Sequence, residues 1–431
     1  TKSACMKANL PETNQKRIVI IGGGFGGLKL ARELSNKNYQ VILIDKNNYH
    51  QFQPLFYQVA TAGLEPSSIS FPFRKIFFFF INVLIRVAEI IRIHPDQNRL
   101  ESNIGVFNYD YLVIAIGADT NFFGNQRIME NAIPMKSVGE ALALRNTILL
   151  NYEQAVLVEN EEELTGLMTI VVVGGGPTGV EVSGTLAEMK NLVLPKDYPE
   201  LDFKLMQVYL LEGSPKVLGS FSEKASEKAK EYLIKLGVNL KCNARVKDYD
   251  GKLVTLEDGT SIRSSTLVWA AGIIGNKLEG LNEKAIGRGN RILVDRYNQV
   301  TGYKNVYALG DVAYMTEEAF PNGHPQVAQV AIQQGDLLAK NFESLLSNKP
   351  LKQFTYKDLG SMATIGRNKA VADLGKIRFQ GFFAWMVWMF VHLMSIVGVK
   401  NKVLIFINWA WNYITFDQSL RLILKAKTKN K

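Results

Sequence analysis

Two glycine loops of the same spacing carry the first recognisable chemistry in this sequence, GGGFGG at residues 22–27 and GGGPTG at 174–179. Each follows a β-branched run, KRIVII or MTIVVV, and each opens a helical pattern. A loop of this kind cradles a pyrophosphate. Gly22 and Gly174 allow the tight turn off the strand, Gly24 and Gly176 let the backbone approach the anion, and Gly27 and Gly179 let the helix close on the sheet, with Gly26 also expected in the first cradle. The phosphates then rest on helix N-terminal amides, where the dipole favours negative charge. An acid closes the next strand in both copies: Asp45 ends VILID, with Lys46 beside it, and Glu212 ends KLMQVYLLE. A carboxylate there accepts hydrogen bonds from an adenosine ribose. At Glu212 it also repels a 2′-phosphate, so the second loop is expected to prefer NADH over NADPH, a preference that Lys216 could soften.

One such loop is weak evidence; two in one chain suggest two dinucleotides bound face to face, as in a flavoprotein reduced by a nicotinamide. The elements around them agree. YDYLVIAIGA at 109–118 and STLVWAAGI at 265–273 each read as a core strand closing on a small-residue turn. They place Gly117 in the first unit, and Ala271 and Gly272 in the second. NVYALGDVA at 305–313 sets Asp311 after Gly310 at a strand end, where an aspartate can hydrogen-bond a ribityl chain. AQVAIQQG at 328–335 has helical spacing, and its Gln329 and Gln333, at i and i+4, share one face. By spacing alone two amides on one face fit equally a polar stripe turned to solvent and an uncharged pair that binds a ligand carbonyl.

These motifs match a family. A first G-x-G-x-x-G, a second at mid-chain and a late ALGD form the pattern of two-dinucleotide-binding flavoprotein reductases. Within them the chain most resembles the type II NADH dehydrogenases, single-subunit NADH:quinone oxidoreductases, from about residue 16 to about 424. The narrower carriers are FQPLFYQVATAGL at 52–64, GGGPTGVEVSGTLAE at 174–188, AQVAIQQG and GSMATIGRNKAVADL at 360–374, with an aromatic C-terminal tail. The resemblance implies that the first fingerprint holds non-covalent FAD, with Gly310, Asp311 and Ala328 among its contacts, and that the second holds NADH. It implies that Gln329 and Gln333 lie at the quinone end of the flavin, and that Glu181 is the family's carboxylate near flavin and nicotinamide. Thr185 departs from the G-E-L-A-E of many members, which leaves proton traffic around Glu181 and Glu188 open. Hydride would pass from NADH to FAD, and two electrons would then pass to a membrane quinone (menaquinone or ubiquinone), with no proton pumping.

The expected fold is α/β: two Rossmann-like dinucleotide-binding domains of the glutathione-reductase type, plus a C-terminal α-helical membrane-anchoring segment. The expected boundaries are a disordered leader at 1–15, an FAD-binding first part at 16–119, an NADH-binding domain at 120–275, an FAD-binding second part at 276–376, and anchoring helices with a basic tail at 377–431. The apolar run IFFFFINVLI at 76–85 is too short to span a bilayer and reads as a buried element.

At 431 residues the chain can hold several cores, and its net charge of +10 is concentrated at the end, where RLILKAKTKNK has five bases and no acid. That short segment suits an anionic membrane surface better than nucleic acid. Two cysteines, Cys5 and Cys242, exclude a disulfide framework, and His50, His94, His324 and His392 lack metal-ligand spacing, so no metal site is expected. GFFAWMVWMFVHLMSIVGV at 381–399 has no formally charged residue and makes a transmembrane hairpin a rival reading. Against it, Asn408, Asn412, Thr415 and Ser419 form one polar stripe on the next stretch, and a hairpin would carry Lys400 and Lys402 across the membrane. The expected arrangement is a pair of helices lying in the interface, with Trp385, Trp388, Trp409, Trp411 and Tyr413 at the headgroup level. A homodimer through these helices is a further option.

The simplest location is peripheral, on the cytoplasmic face of the cell membrane. Competing functions are sulfide:quinone oxidoreduction, which needs cysteines near the flavin, a ferredoxin-type reductase, and a flavoprotein redox sensor without turnover.

Overall fold

The computed structural model describes residues 8–415 and 420–424, so Cys5, Ser419 and the lysines beyond Leu424 lie outside the described residues. Contacts group the chain into two compact units. The first holds the described residues up to His50, then Phe71–Asp119 and Ile273–Asp358; the second holds Gln51–Ser70, Thr120–Gly272 and the described residues from Leu359 onward.

Each unit is built on a five-stranded parallel sheet with its glycine-loop strand in the middle. In the first unit the order is Val306–Ala308, Tyr111–Ile114, Arg17–Ile21, Gln40–Asp45, Val83–Val87. In the second it is Ile133–Pro134, Thr266–Trp269, Thr169–Val173, Gln207–Glu212, Val238–Cys242. The continuous β-branched runs are what a parallel sheet covered on both faces requires, and Ile18, Val19, Ile20, Val171 and Val172 are fully buried. In both sheets the chain leaves the central strand toward one neighbour and returns on the other side. That leaves a crevice at the carboxyl ends of the strands, the usual ligand position in this architecture. A three-stranded antiparallel meander accompanies each sheet, Ile90–His94 to Gly105–Asn108 in the first unit and Val246–Tyr249 to Ser261–Arg263 in the second.

The units depart from the expected boundaries. Residues 51–70 and 359–376, expected in the flavin domain, group with the second unit. The short helix Phe56–Ala60 packs on the helices Val138–Ala155 and Pro177–Leu192, and the strand Ser361–Thr364 packs on the latter. Residues 8–11, expected within a disordered leader, are docked on the first unit. Ala8 N–H donates to Val106 O at 3.0 Å, Arg86 to Asn9 O at 2.8 Å and Gln40 to Pro11 O at 3.1 Å. These bonds give a polar segment partners it would otherwise find in water.

The run 76–85 is not uniformly buried. Phe77, Val83 and Ile85 enter the core, whereas Phe78, Phe79 and Ile81 sit on an exposed turn.

Two helices, Phe382–Ser395 and Val399–Thr415, are the last helices among the described residues of the second unit. No helix among the described residues is long and apolar enough to cross a membrane. Each helix buries one narrow seam, Ala384 and Trp388 on the first and Ile405 and Trp409 on the second, and leaves broad apolar faces exposed. Trp388 and Trp409, expected at the headgroup level, are therefore core residues: their rings face each other at 6.1 Å, and Trp388 lies 6.3 Å from the Tyr57 ring. Within the polar stripe Asn412 is turned inward, while the Thr415 hydroxyl bonds back to Trp411 O of its own helix. Asn412 donates to Gly63 O at 3.1 Å, and the neighbouring Trp409 indole donates to Gln58 at 2.7 Å. Polar groups on this face are satisfied by protein, which leaves the apolar side outward.

Candidate functional site

The two glycine loops have nearly the same local geometry. Gly22 and Gly174 have φ of +101° and +106°, values that favour glycine, and the turn glycines Gly117 and Gly272 match at +69° and +72°. A Cβ at Gly27 would overlap Gly22 O, and one at Gly179 would overlap Gly174 O, so only glycine lets each helix close on its strand. A Cβ at Gly24 or Gly176 would meet nothing within 4 Å, which is the open space a pyrophosphate needs. Neither following helix, Phe25–Glu33 or Pro177–Leu192, has a side-chain cap or an acid in its first turn. Their first N–H groups point at that space, and the residues fit a dinucleotide in both units.

Each acid closes its strand, Gln40–Asp45 in the first unit and Gln207–Glu212 in the second. Asp45 accepts the Gly23 N–H at 2.7 Å through Oδ2 and the Asn47 N–H at 2.7 Å through Oδ1. Burial raises its pKa, and the two N–H groups and Lys46 oppose that rise. Glu212 mirrors it, accepting Gly175 N–H at 2.5 Å and Ser214 N–H at 2.7 Å. Lys216 is paired with Glu223 at 2.6 Å. Gly26 serves packing: a Cβ there would overlap Leu309, at the crossing with the helix Ala328–Leu346, where a Cβ on Gly335 would lie 2.7 Å from Gly26 O.

Gln329 and Gln333 share a face, as their spacing predicts, and both reach the segment after their helix. Tyr356 OH donates to Gln329 Oε1 at 3.3 Å. Gln333 donates to Lys357 O at 2.8 Å and accepts Lys357 N–H at 3.0 Å. The neighbouring Gln334, which sequence reasoning passed over, is buried, and its Oε1 accepts the Gly310 N–H at 2.7 Å. Gly310 has φ of +73° and precedes Asp311, so this amide holds the turn that presents the aspartate. Asp311 O accepts from Gln326 at 2.9 Å, and its negative charge partly offsets the burial that lowers the Arg291 pKa. Ala328 is the first residue of the glutamine helix.

Glu181 lies in the second unit, in the second turn of its helix rather than the first, and is almost wholly buried. A dipole-capping role is therefore excluded. Burial pushes its carboxyl up to about 8; Thr364 N–H, at 3.5 Å, and the Trp388 indole oppose the rise. That indole N–H approaches the carboxyl without completing a well-formed hydrogen bond. Thr185, the departure from the family pattern, spends its hydroxyl on Glu181 O at 2.8 Å. Two turns along, Glu188 is also raised by burial and accepts the Arg367 N–H. The Arg367 guanidinium in turn donates to Asn412 O at 2.5 Å and Tyr413 O at 3.0 Å and lies 4.9 Å over the Tyr413 ring. Trp388 stacks on His392 at 4.0 Å, and burial lowers the His392 pKa to about 4, keeping that ring neutral.

Comparison with known proteins agrees with this geometry. The pattern of the pyridine nucleotide-disulphide oxidoreductases matches residues 16–335, and that of the NDH2 C-terminal domain matches 359–415. The chain is 35% identical over 414 residues to a type II NADH:quinone oxidoreductase of Mycobacterium tuberculosis, covering 93% of this chain and 88% of that one. It is 30% identical to a mitochondrial internal alternative NAD(P)H-ubiquinone oxidoreductase of Arabidopsis thaliana, covering 94% and 85%. The solved structure of NDH2 from Plasmodium falciparum in complex with NADH has the same fold, with a TM-score of 0.88 at 23% identity over 96% of this chain and 100% of that one. With duplicated nucleotide cradles, a matching C-terminal domain and near full-length relatives, the chain belongs to the type II NADH:quinone oxidoreductase family.

Proposed function

We propose that the chain performs its family's reaction, oxidising NADH and reducing a quinone without pumping protons, with its residues divided between the two units as follows. FAD, when bound, supplies the two-electron relay between NADH and quinone. Gly22, Gly24 and the first turn of the helix Phe25–Glu33 would hold the FAD pyrophosphate, Asp45 its adenosine ribose and Asp311 its ribityl chain. In the second unit Gly174, Gly176 and Glu212 would hold NADH in the same manner. The observation that carries this reading is the doubled cradle, with open space above Gly24 and Gly176 and uncapped helix ends beneath it.

Glu181 is proposed to hold a proton below about pH 8 and to release it for the reduced quinone, since burial favours its neutral form. Gln329 and Gln333 are proposed to orient the quinone; their bonds to Tyr356 and Lys357 fix the helix face they share. A sulfide:quinone reaction is not favoured, because Cys242, the one cysteine among the described residues, lies in an outer strand of the NADH unit.

The exposed apolar faces of the helices Phe382–Ser395 and Val399–Thr415 support a peripheral, monotopic attachment, for which we propose the cytoplasmic face of the cell membrane. A homodimer through these faces is the competing use. Separate measurement of the half-reactions tests the assignment. Glu181→Gln should slow quinone reduction more than flavin reduction by NADH, and Gln329→Ala should slow quinone reduction alone; equal loss in both steps would overturn it.

A further inference from the structure

The turn after the helix Phe73–Ile76 presents its apolar side chains to solvent. Phe78 is 76% exposed, Phe79 84% and Ile81 95%. The turn is built rather than loose. Phe77 N–H donates to Phe73 O at 2.9 Å and Phe80 N–H to Phe77 O at 3.0 Å, while the buried Phe73 and Phe77 rings root it in the first unit. Phe78 and Phe79 meet edge to face at 5.1 Å, forming one apolar knob. Its surroundings are basic: Arg74 and Lys75 are exposed, and the run from Phe73 to Arg86 contains three cations and no acid.

We propose that this knob is a second membrane contact, separate in sequence and in structural unit from the C-terminal helices, that inserts Phe78, Phe79 and Ile81 into an anionic lipid interface. Aromatic and branched apolar side chains gain by leaving water at the acyl boundary, and cations beside them are drawn to anionic headgroups. The charge pattern selects anionic lipid over a second protein copy, since this run offers cations and no acid, so a second copy would bring the same charge against it. The inference rests on the peripheral attachment proposed above. It gives the FAD-binding unit its own hold on the membrane rather than a tether through the other unit alone.

The test is co-sedimentation of the FAD-loaded full chain with vesicles of phosphatidylglycerol and phosphatidylcholine. The triple variant F78S/F79S/I81S is compared with a C-terminal-helix variant, F383S/F390S/F406S. The triple variant should lose about tenfold or more in vesicle partitioning, as expected for three apolar side chains. It should keep its flavin and its NADH oxidation with a soluble short-chain quinone. Phe79→Trp should show more fluorescence quenching by bromine-labelled acyl chains than the wild-type chain with its native tryptophans does, and equal quenching would overturn the inference. Undiminished partitioning of the triple variant beside a weakened C-terminal variant overturns the inference and leaves the attachment reading intact; failure of the wild-type chain to sediment overturns both. Loss of a dimer with unchanged vesicle binding also overturns it.

Discussion

The buried amide of Gln334 accepts the Gly310 N–H at 2.7 Å, so the turn carrying Asp311 is held by the residue next to the glutamine that the motif singles out. Removing the acceptor leaves a buried N–H unsatisfied, which costs about 1–3 kcal/mol. Gln334→Ala should therefore weaken FAD retention roughly tenfold or more, read as the flavin-to-protein absorbance ratio after gel filtration. Gln333→Ala should leave that ratio near wild type. Equal flavin content in Gln334→Ala and wild type would show that the turn stands without this bond.

Glu181 makes the pH dependence predictable in sign. Its folded pKa lies near 8 against an ordinary 4.5, so between those values the folded chain holds a proton that the unfolded chain has released. Stability should fall as pH rises through that window and level off above it. Glu181→Gln should flatten the slope in denaturant titrations. In stopped flow, quinone reduction should decline above about pH 8 in the wild type, and the Gln variant should show no such inflection. An unchanged inflection in the variant would assign the titration to another group.

Nucleotide choice is proposed to rest on Glu212. Lys216 is engaged by Glu223 and so is held away from offsetting the carboxylate's repulsion of a 2′-phosphate. Glu212→Ala should raise the ratio of kcat/KM for NADPH over NADH by about tenfold. A ratio that does not move would place the ribose contact elsewhere.

Arg367 closes the end of the helix Val399–Thr415 through two backbone carbonyls while its own N–H meets Glu188. A cation there complements the helix dipole, and a planar fork suits two acceptors. Arg367→Ala should raise the rate of limited proteolysis within 399–415 by about tenfold, corresponding to roughly 1.4 kcal/mol of local opening. Lysine should restore little of the protection. Equal cleavage rates would mean that the Trp409 and Ile405 seam alone holds the helix.

What the sequence made legible was local. Glycine spacing, β-branched runs and strand-end acids are set by residues within one turn or strand, and the cradles around Gly22 and Gly174 match that reading. What it hid depends on distant partners. Periodicity marks an apolar face without saying what covers it, so Trp409, whose indole finds Gln58 far earlier in the chain, read as exposed while Phe78 and Phe79 read as buried. Likewise Gln333 and Gln334 differ by about 100° around one helix, and only the position of Gly310 tells which amide holds the turn before Asp311. The inward turn of Asn412 is legible only once residues 58–63 are placed beside it.

Electrons from NADH are expected to leave this chain through a quinone. Mixing the FAD-loaded protein anaerobically with one equivalent of NADH should bleach the flavin absorbance, and a short-chain quinone added next should restore it faster than air-saturated buffer does. A flavin that stays reduced in the presence of quinone and recovers only with oxygen would rule out quinone as the electron acceptor.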